Sequence, residues 1–156
     1  MNKLKLYLET TVFNYYFDID REFHEDTLFL FDAIANGIFD TYTSEYVTIE
    51  LQKASDPKKS MMLDLIDKYN IKMLNFDSEC TRLANLYVRE GVIPERFRFD
   101  ASHIAIASTY GLDCVVSFNF QHINKLKTKS LFKISIAAVF WSNLCSAASK
   151  IFVLRQ

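Results

Sequence analysis

The stretch Phe99-Asp100-Ala101-Ser102-His103-Ile104-Ala105-Ile106-Ala107 places one acidic residue at the start of an otherwise apolar segment. Small and branched apolar side chains leave this segment little polar surface, which predicts a buried helix that begins near Asp100 and ends at Gly111. A carboxylate at the start of such a helix either caps the free amides of the first turn or binds a ligand. For an isolated acid, the cap is the favoured interpretation.

Composition predicts one folded domain over residues 1–156, because half of the residues are apolar, 15% are aromatic, and only three Gly and two Pro occur. Three widely spaced cysteines without a CxxC pair predict neither a disulfide framework nor a thiolate metal site, and they suit a reducing cytoplasm. The most apolar run, Ile134 to Trp141, is too short to cross a bilayer, so we expect no membrane association. A net charge of −1 argues against a protein that coats nucleic acid through phosphate contacts alone.

Hydrophobic periodicity predicts an alternation of strands and helices along the chain. The predicted strands cover residues 4–8, 38–43, 71–74 and 112–118, and the predicted helices cover 26–36, 44–54, 61–69, 78–90 and 100–111. Residues 14–23 are expected to form an aromatic-rich connection, and 150–155 a final edge strand after an apolar segment over 134–148. This order is typical of an α/β fold with a mainly parallel sheet.

Four oxygen-bearing side chains fall where such a fold brings element ends together. Glu9 ends the first strand, Glu50 lies on the helix after the second, Asp100 starts a helix, and Asn119 follows the last buried strand. Clustered carboxylates raise one another's pKa values unless a cation neutralises them, and oxygen ligands favour Mg²⁺ or Mn²⁺ over zinc. Each acid also has a plainer interpretation, such as an ion pair between Glu50 and Lys53.

Several stretches, in their order and spacing, carry a resemblance to a known family. They are Leu6-Tyr7-Leu8-Glu9-Thr10-Thr11-Val12, Ser44-Glu45-Tyr46-Val47-Thr48-Ile49-Glu50-Leu51, Ile93-Pro94-Glu95, Asp100 to Ala107, and Val116-Ser117-Phe118-Asn119-Phe120-Gln121-His122-Ile123. The chain resembles the PIN domains, and among them the VapC-type toxins of toxin–antitoxin pairs. The resemblance implies a three-layer α/β/α sandwich and a metal-dependent endoribonuclease that is dimeric and held inactive by a small antitoxin protein.

The hypothesis for the site is that Glu9, Glu50 and Asp100 hold one or two Mg²⁺ or Mn²⁺ ions, with Asn119 assisting directly or through water. Metal-activated water would then hydrolyse an RNA phosphodiester bond. Two hydroxyls, Thr10 and Ser117, are candidates for positioning water or phosphate, although strand-end hydrogen bonding is the favoured role of both. His103, one turn beyond Asp100, either flanks the site or is a buried, hydrogen-bonded histidine, and the second role is favoured.

Three departures from the family pattern support an alternative, a catalytically degenerate PIN-like module that acts through protein or RNA contacts. Glu9 stands where most PIN domains have Asp, which moves the carboxylate out by about 1.5 Å. Asn119 replaces a fourth acid, so a second metal ion should bind weakly. The segment from about Ser130 to Gln156 lacks the expected polar character. The residues alone do not distinguish RNA from DNA. A phosphatase is disfavoured, because no Asp-x-Asp pair stands at the end of the first predicted strand, where an aspartyl nucleophile would be needed.

The resemblance also predicts where partners bind. An apolar groove near the early helices would receive the antitoxin, with aromatic residues between Phe13 and Phe31 lining it. Core packing is the favoured role for most of these aromatic residues. A homodimer is expected from the family, and the 14 Phe and 8 Tyr are compatible with it without specifying it.

Overall fold

The structure is a computed structural model that describes residues 3–119 and 135–138. Its strands are β1 (Lys5–Leu8), β2 (Asp40–Ser44), β3 (Lys72–Leu74), β4 (Cys114–Ser117) and β5 (Ser135–Ala138). Its α-helices are α1 (Thr10–Phe17), α2 (His24–Ala35), α3 (Glu45–Leu51), α4 (Lys58–Lys68), α5 (Ser78–Arg89) and α6 (Arg98–Thr109), and a 3₁₀ turn covers Glu95–Phe97.

The five strands form one parallel sheet in the order β3-β2-β1-β4-β5. The chain builds the sheet outward from β1 to β3 and then returns to add β4 on the other side of β1, with Leu6 opposite Cys114. Helices α1 to α4 contact one another, and α5 packs along α6. Helices flank the sheet, which confirms the predicted three-layer α/β/α sandwich. The strand order reverses between β1 and β4, and ligands of open parallel sheets bind at such a point.

The core is centred on β1 and α6. Leu6, Tyr7 and Leu8 are fully buried, as expected for a central strand covered on both faces. Seven consecutive residues of α6, from Ala101 to Ala107, are also buried, so the apolar segment is a core helix as its sequence predicts. Gly111 adopts a φ of +62° just after this helix, a backbone conformation that favours glycine at a helix end.

The prediction that α6 begins near Asp100 is wrong. The 3₁₀ turn after Pro94 continues directly into the helix at Arg98, so Asp100 is its third residue. No side chain caps this helix start. The interpretation of Asp100 as an N-cap is therefore also wrong, because the helical run begins upstream of it.

Other elements differ from the sequence prediction for identifiable reasons. Residues 10–17 form α1 rather than a turn and connection, since burial of Val12 and Phe13 outweighs the strand preference of this Thr- and aromatic-rich segment. The edge strand β5 lies inside the apolar segment 134–148, where no strand was expected. The predicted strand over 150–155 lies outside the described residues. Among the described helices, none is long and apolar enough to cross a membrane.

We expect Ile104→Ala to lower the free energy of unfolding by about 2–5 kcal/mol, because Ile104 is fully buried in α6 and truncation leaves a cavity. The matched control is Ile19→Ala, at a side chain that is 74% exposed, with an expected change within about 0.5 kcal/mol. Urea unfolding followed by circular dichroism measures both changes. Equal losses in the two variants would contradict the assignment of α6 to the core.

Candidate metal centre

Glu9 links the end of β1 to the start of α1. It is the N-cap of α1, and its Oε2 accepts hydrogen bonds from the backbone N–H of Thr11 at 3.1 Å and from Thr11 Oγ1 at 2.6 Å. The residue is only 6% exposed. Its other oxygen, Oε1, lies 3.9 Å from Nε2 of His103. One carboxylate thus caps a helix with one oxygen and faces the candidate site with the other.

Glu50 reaches the same place from α3, whose start is fixed by Ser44. The Ser44 hydroxyl accepts the backbone N–H of Val47 at 3.3 Å and so caps the helix. Glu50 Oε2 accepts a hydrogen bond from Thr10 Oγ1 and lies 3.2 Å from His103 Nε2. These two groups, rather than an ion pair with Lys53, are the hydrogen-bonding partners of Glu50 in the described part of the chain.

His103 is 2% exposed and belongs to a buried chain of polar groups. Its Nδ1 lies 2.9 Å from the Tyr7 hydroxyl, which lies 2.8 Å from the Ser44 hydroxyl. A carboxylate can only accept, so the hydrogen between His103 and ionised Glu50 is on Nε2. The Tyr7 hydroxyl thus bridges His103 Nδ1 and the Ser44 hydroxyl. His103 is both a buried, hydrogen-bonded histidine and a neighbour of the acids.

The pKa of Glu50 differs from the value that the sequence predicts for a clustered acid. Burial raises the pKa of Glu50. The hydrogen bond and charge of His103, with smaller contributions from Thr10 and Lys53, act in the opposite direction and outweigh burial. The pKa of Glu50 therefore lies below its usual value. The expected upward shift for clustered acids is therefore wrong for Glu50, because hydrogen-bond donors surround it. Burial raises the pKa of Tyr7 well above its usual value and keeps its hydroxyl protonated as a donor.

Asp100 lies one turn before His103 on α6, so the two side chains leave the same face of the helix. Asp100 and Glu50 both contribute to the raised pKa of Tyr46, whose largest cause is burial, and this places both carboxylates near the Tyr46 hydroxyl. The Tyr46 ring packs edge-on against His103, with 5.1 Å between ring centroids. Asp100 is half-buried.

The residues after β4 approach the site from the other side of β1. Ser117 is fully buried, and its Oγ accepts the backbone N–H of Asn119 at 3.0 Å. The hydroxyl of Thr11 lies 3.5 Å from Ser117 Oγ and accepts the backbone N–H of Phe118 at 2.9 Å. Ser117 therefore forms a strand-end hydrogen bond, the favoured interpretation from sequence. Asn119 is exposed at the same end of the sheet.

Among the described residues, Glu9, Glu50 and His103 each present a potential ligand atom within 4.8 Å of the other two. Asp100 and Asn119 are not members of this group. The two carboxylates offer the oxygen donors that Mg²⁺ and Mn²⁺ prefer, and they converge at the reversal of strand order. The hydrogen on Nε2 directs His103 toward the carboxylates as a donor. The ligand atoms available to a metal here are thus carboxylate oxygens, which fit a hard divalent cation.

Sequence reasoning missed Tyr7, Ser44 and Tyr46 as neighbours of the site. One signal for Tyr7 was present: it lies two residues before Glu9 in a strand that is buried on both faces, where a phenol needs a hydrogen-bond partner. Nothing in the local sequence indicated that this partner is His103, 96 residues away.

A family model described as the PIN domain matches residues 6–127 of the chain. No curated protein matches the sequence of the chain. Similar solved structures include VapBC2 from Rickettsia felis bound to a DNA fragment from their promoter, with a TM-score of 0.55 and 14% identity over 88% of this chain and 100% of that one. VapBC-5 from Mycobacterium tuberculosis (TM-score 0.54, 18% identity) and DNA-bound VapBC from Salmonella typhimurium (0.57, 16%) each align over 86% of this chain and 98% of theirs. At these identities the likeness is one of fold.

Tyr7→Phe should lower the free energy of unfolding by about 1–3 kcal/mol, because it removes a buried hydroxyl that forms hydrogen bonds with both His103 and Ser44. The matched control is Tyr16→Phe, which removes a half-buried hydroxyl bonded to Tyr69 at 2.9 Å and should cost less than about 1 kcal/mol. Urea unfolding curves compare the two. A Tyr7→Phe loss no larger than that of the control would mean that the buried chain adds no stability.

Proposed function

Because the chain belongs to the PIN domain family, whose members are generally nucleases, we propose that it is a Mg²⁺- or Mn²⁺-dependent endoribonuclease and the toxin of a toxin–antitoxin pair. The observation that carries this proposal is the convergence of the Glu9 and Glu50 carboxylates at the reversal of strand order.

In this proposal, Glu9, Glu50 and Asp100 hold the cation, and Asn119 contributes its amide oxygen directly or through water. When bound, the cation lowers the pKa of a water molecule and stabilises negative charge on the phosphate. The protein's part is to orient the carboxylates. Thr11 fixes one oxygen of Glu9, while Thr10 and His103 fix one oxygen of Glu50, so that little reorganisation is needed on binding.

The departure at Glu9 has a structural explanation that favours activity. Glu9 caps α1 through Oε2, which accepts the N–H of Thr11, while Oε1 faces His103. Glu9 therefore keeps one oxygen for a cation despite its greater length. Asn119 is neutral and exposed, which supports one strongly bound ion rather than two.

The partner proposal is a small antitoxin protein that binds over the early helices. Phe13 and Phe31 are buried and pack edge-to-face at 6.3 Å, so these two are core residues. Ile19 and Phe29 are exposed near the same helices and offer apolar surface for a protein segment. The solved complexes with a similar fold are toxin–antitoxin pairs, which supports this partner class. A homodimer is part of the same proposal. We place the protein in the cytoplasm, where the buried thiols of Cys80 and Cys114 stay reduced.

Glu50→Gln should weaken Mn²⁺ binding about tenfold or more, because the amide loses the charge that attracts the ion. The matched control is Glu45→Gln on the same helix, at an exposed carboxylate that accepts the N–H of Phe76 at 3.4 Å, and it should leave the affinity unchanged. Titration calorimetry measures both. A wild-type protein that binds no Mn²⁺ would instead support the alternative, a degenerate binding module.

Single-stranded RNA should be cleaved by the wild-type protein with Mg²⁺ or Mn²⁺ and left intact with EDTA. Asp100→Asn should reduce the rate by about two orders of magnitude, because a charge beside the Glu9–Glu50 pair is lost. Asp113→Asn controls for the chemical change at the opposite end of the sheet, where this carboxylate accepts the N–H of Lys5 at 2.8 Å. Gel analysis of a labelled RNA gives the rates, and cleavage that persists in EDTA would refute the mechanism.

A further inference from the structure

We propose that Phe99 and Lys53 form a nucleotide-binding subsite beside the Glu9–Glu50 pair, in which the Phe99 ring stacks on a nucleobase of single-stranded RNA and Lys53 binds an adjoining phosphate. This inference rests on the proposed ribonuclease function. It adds two residues that contact the RNA but do not bind the metal ion.

Phe99 is an exposed aromatic residue at the edge of the candidate site. It lies in the first turn of α6, immediately before Asp100, and is 63% exposed. The residues that follow it, from Ala101 to Ala107, are all buried. The Phe99 ring is thus an exposed apolar surface next to a half-buried carboxylate, Asp100.

Lys53 supplies positive charge at the same place. Its ammonium lies 6.0 Å from the centre of the Phe99 ring. Burial raises the pKa of Glu50, and the charge of Lys53 is one of the effects that lower it, after the larger ones of His103 and Thr10. Lys53 follows α3, the helix that carries Glu50, and within the described residues it forms no ion pair with a carboxylate. The ammonium is therefore available to an anion near the carboxylates.

This pairing of an exposed ring with a cation matches single-stranded nucleic acid. Bases of unpaired strands stack on aromatic side chains whatever their sequence, and neighbouring basic residues bind the phosphates. Lys53 offsets part of the repulsion between the phosphate backbone and the carboxylates of Glu9, Glu50 and Asp100. A duplex would keep its bases stacked on one another, so the subsite selects unpaired strands.

A second copy of this chain is the competing occupant of the surface. Ile49 on α3, four residues before Lys53 in the chain, is also exposed, at 58%. A stable interface buries about 800 Å² per partner, whereas a Phe side chain supplies about 200 Å². The cation beside the ring favours a nucleotide, because the base of a nucleotide matches the ring and its phosphate matches the positive charge.

Fluorescence anisotropy tests the subsite without cleavage. The probes are a labelled single-stranded 12-nucleotide RNA and an abasic sugar–phosphate oligomer of the same length, both in EDTA. We expect Phe99→Ala to weaken binding of the RNA about fivefold or more and to leave binding of the abasic oligomer unchanged, while Phe99→Trp retains RNA affinity. Lys53→Gln should weaken both probes and reduce the salt dependence of binding by about one counterion. Phe29→Ala, at another exposed Phe, is the matched control and should change neither affinity.

The outcomes separate this inference from the proposed function. Equal RNA affinity in Phe99→Ala and wild type overturns the subsite, and metal-dependent cleavage by the wild type then leaves the nuclease proposal in place. Loss of affinity for both probes in Phe99→Ala also overturns stacking, because an abasic strand has no base to stack. Light scattering on the same samples reports the oligomeric state, and a dimer that dissociates in Phe99→Ala assigns the surface to a second copy instead.

Discussion

Two carboxylates held together in a buried place are the constraint on which the architecture around the site depends. Glu9 and Glu50 would repel each other if they were merely buried, and each carboxylate has lost much of its hydration. Hydrogen-bond donors make the arrangement stable. Thr11 donates to Glu9, and Thr10 and His103 donate to Glu50. The lowered pKa of Glu50 is the electrostatic consequence, because these donors favour the ionised form.

His103 joins three elements at this point. Its ring connects α6 to Glu50 of α3 through Nε2 and to Tyr7 of β1 through Nδ1. Ser44 both caps α3 and bonds the Tyr7 hydroxyl, so the start of the helix that carries Glu50 is tied to the central strand. A shift of α6 along the sheet would break this chain of buried polar bonds, and each unpaired group would cost about 1–3 kcal/mol. Stability and the orientation of the acids thus depend on the same contacts.

Much of this architecture follows from local patterns. The apolar run from Ala101 to Ala107 predicts a buried helix, and the apolar strand before Ser117 predicts a central parallel strand, because periodicity and burial are read directly from neighbouring residues. Helix α1 was missed, since its Thr and aromatic residues resemble a strand and only packing makes them helical. The start of α6 was also missed, because a 3₁₀ turn is short and has no strong sequence signal.

The sequence by itself determined the α/β class, the PIN family resemblance and the placement of Glu9 at the end of the first strand and of Glu50 and Asp100 on helices. Tertiary structure decided how these residues are used. It made Glu9, rather than Asp100, the helix cap, and it gave Glu50 the donors Thr10 and His103. The physical reason is separation along the chain: Thr10 meets Glu50 across 40 residues and Tyr7 meets His103 across 96. Such hydrogen bonds depend on which strands become neighbours in the sheet, and local periodicity carries no information about that order.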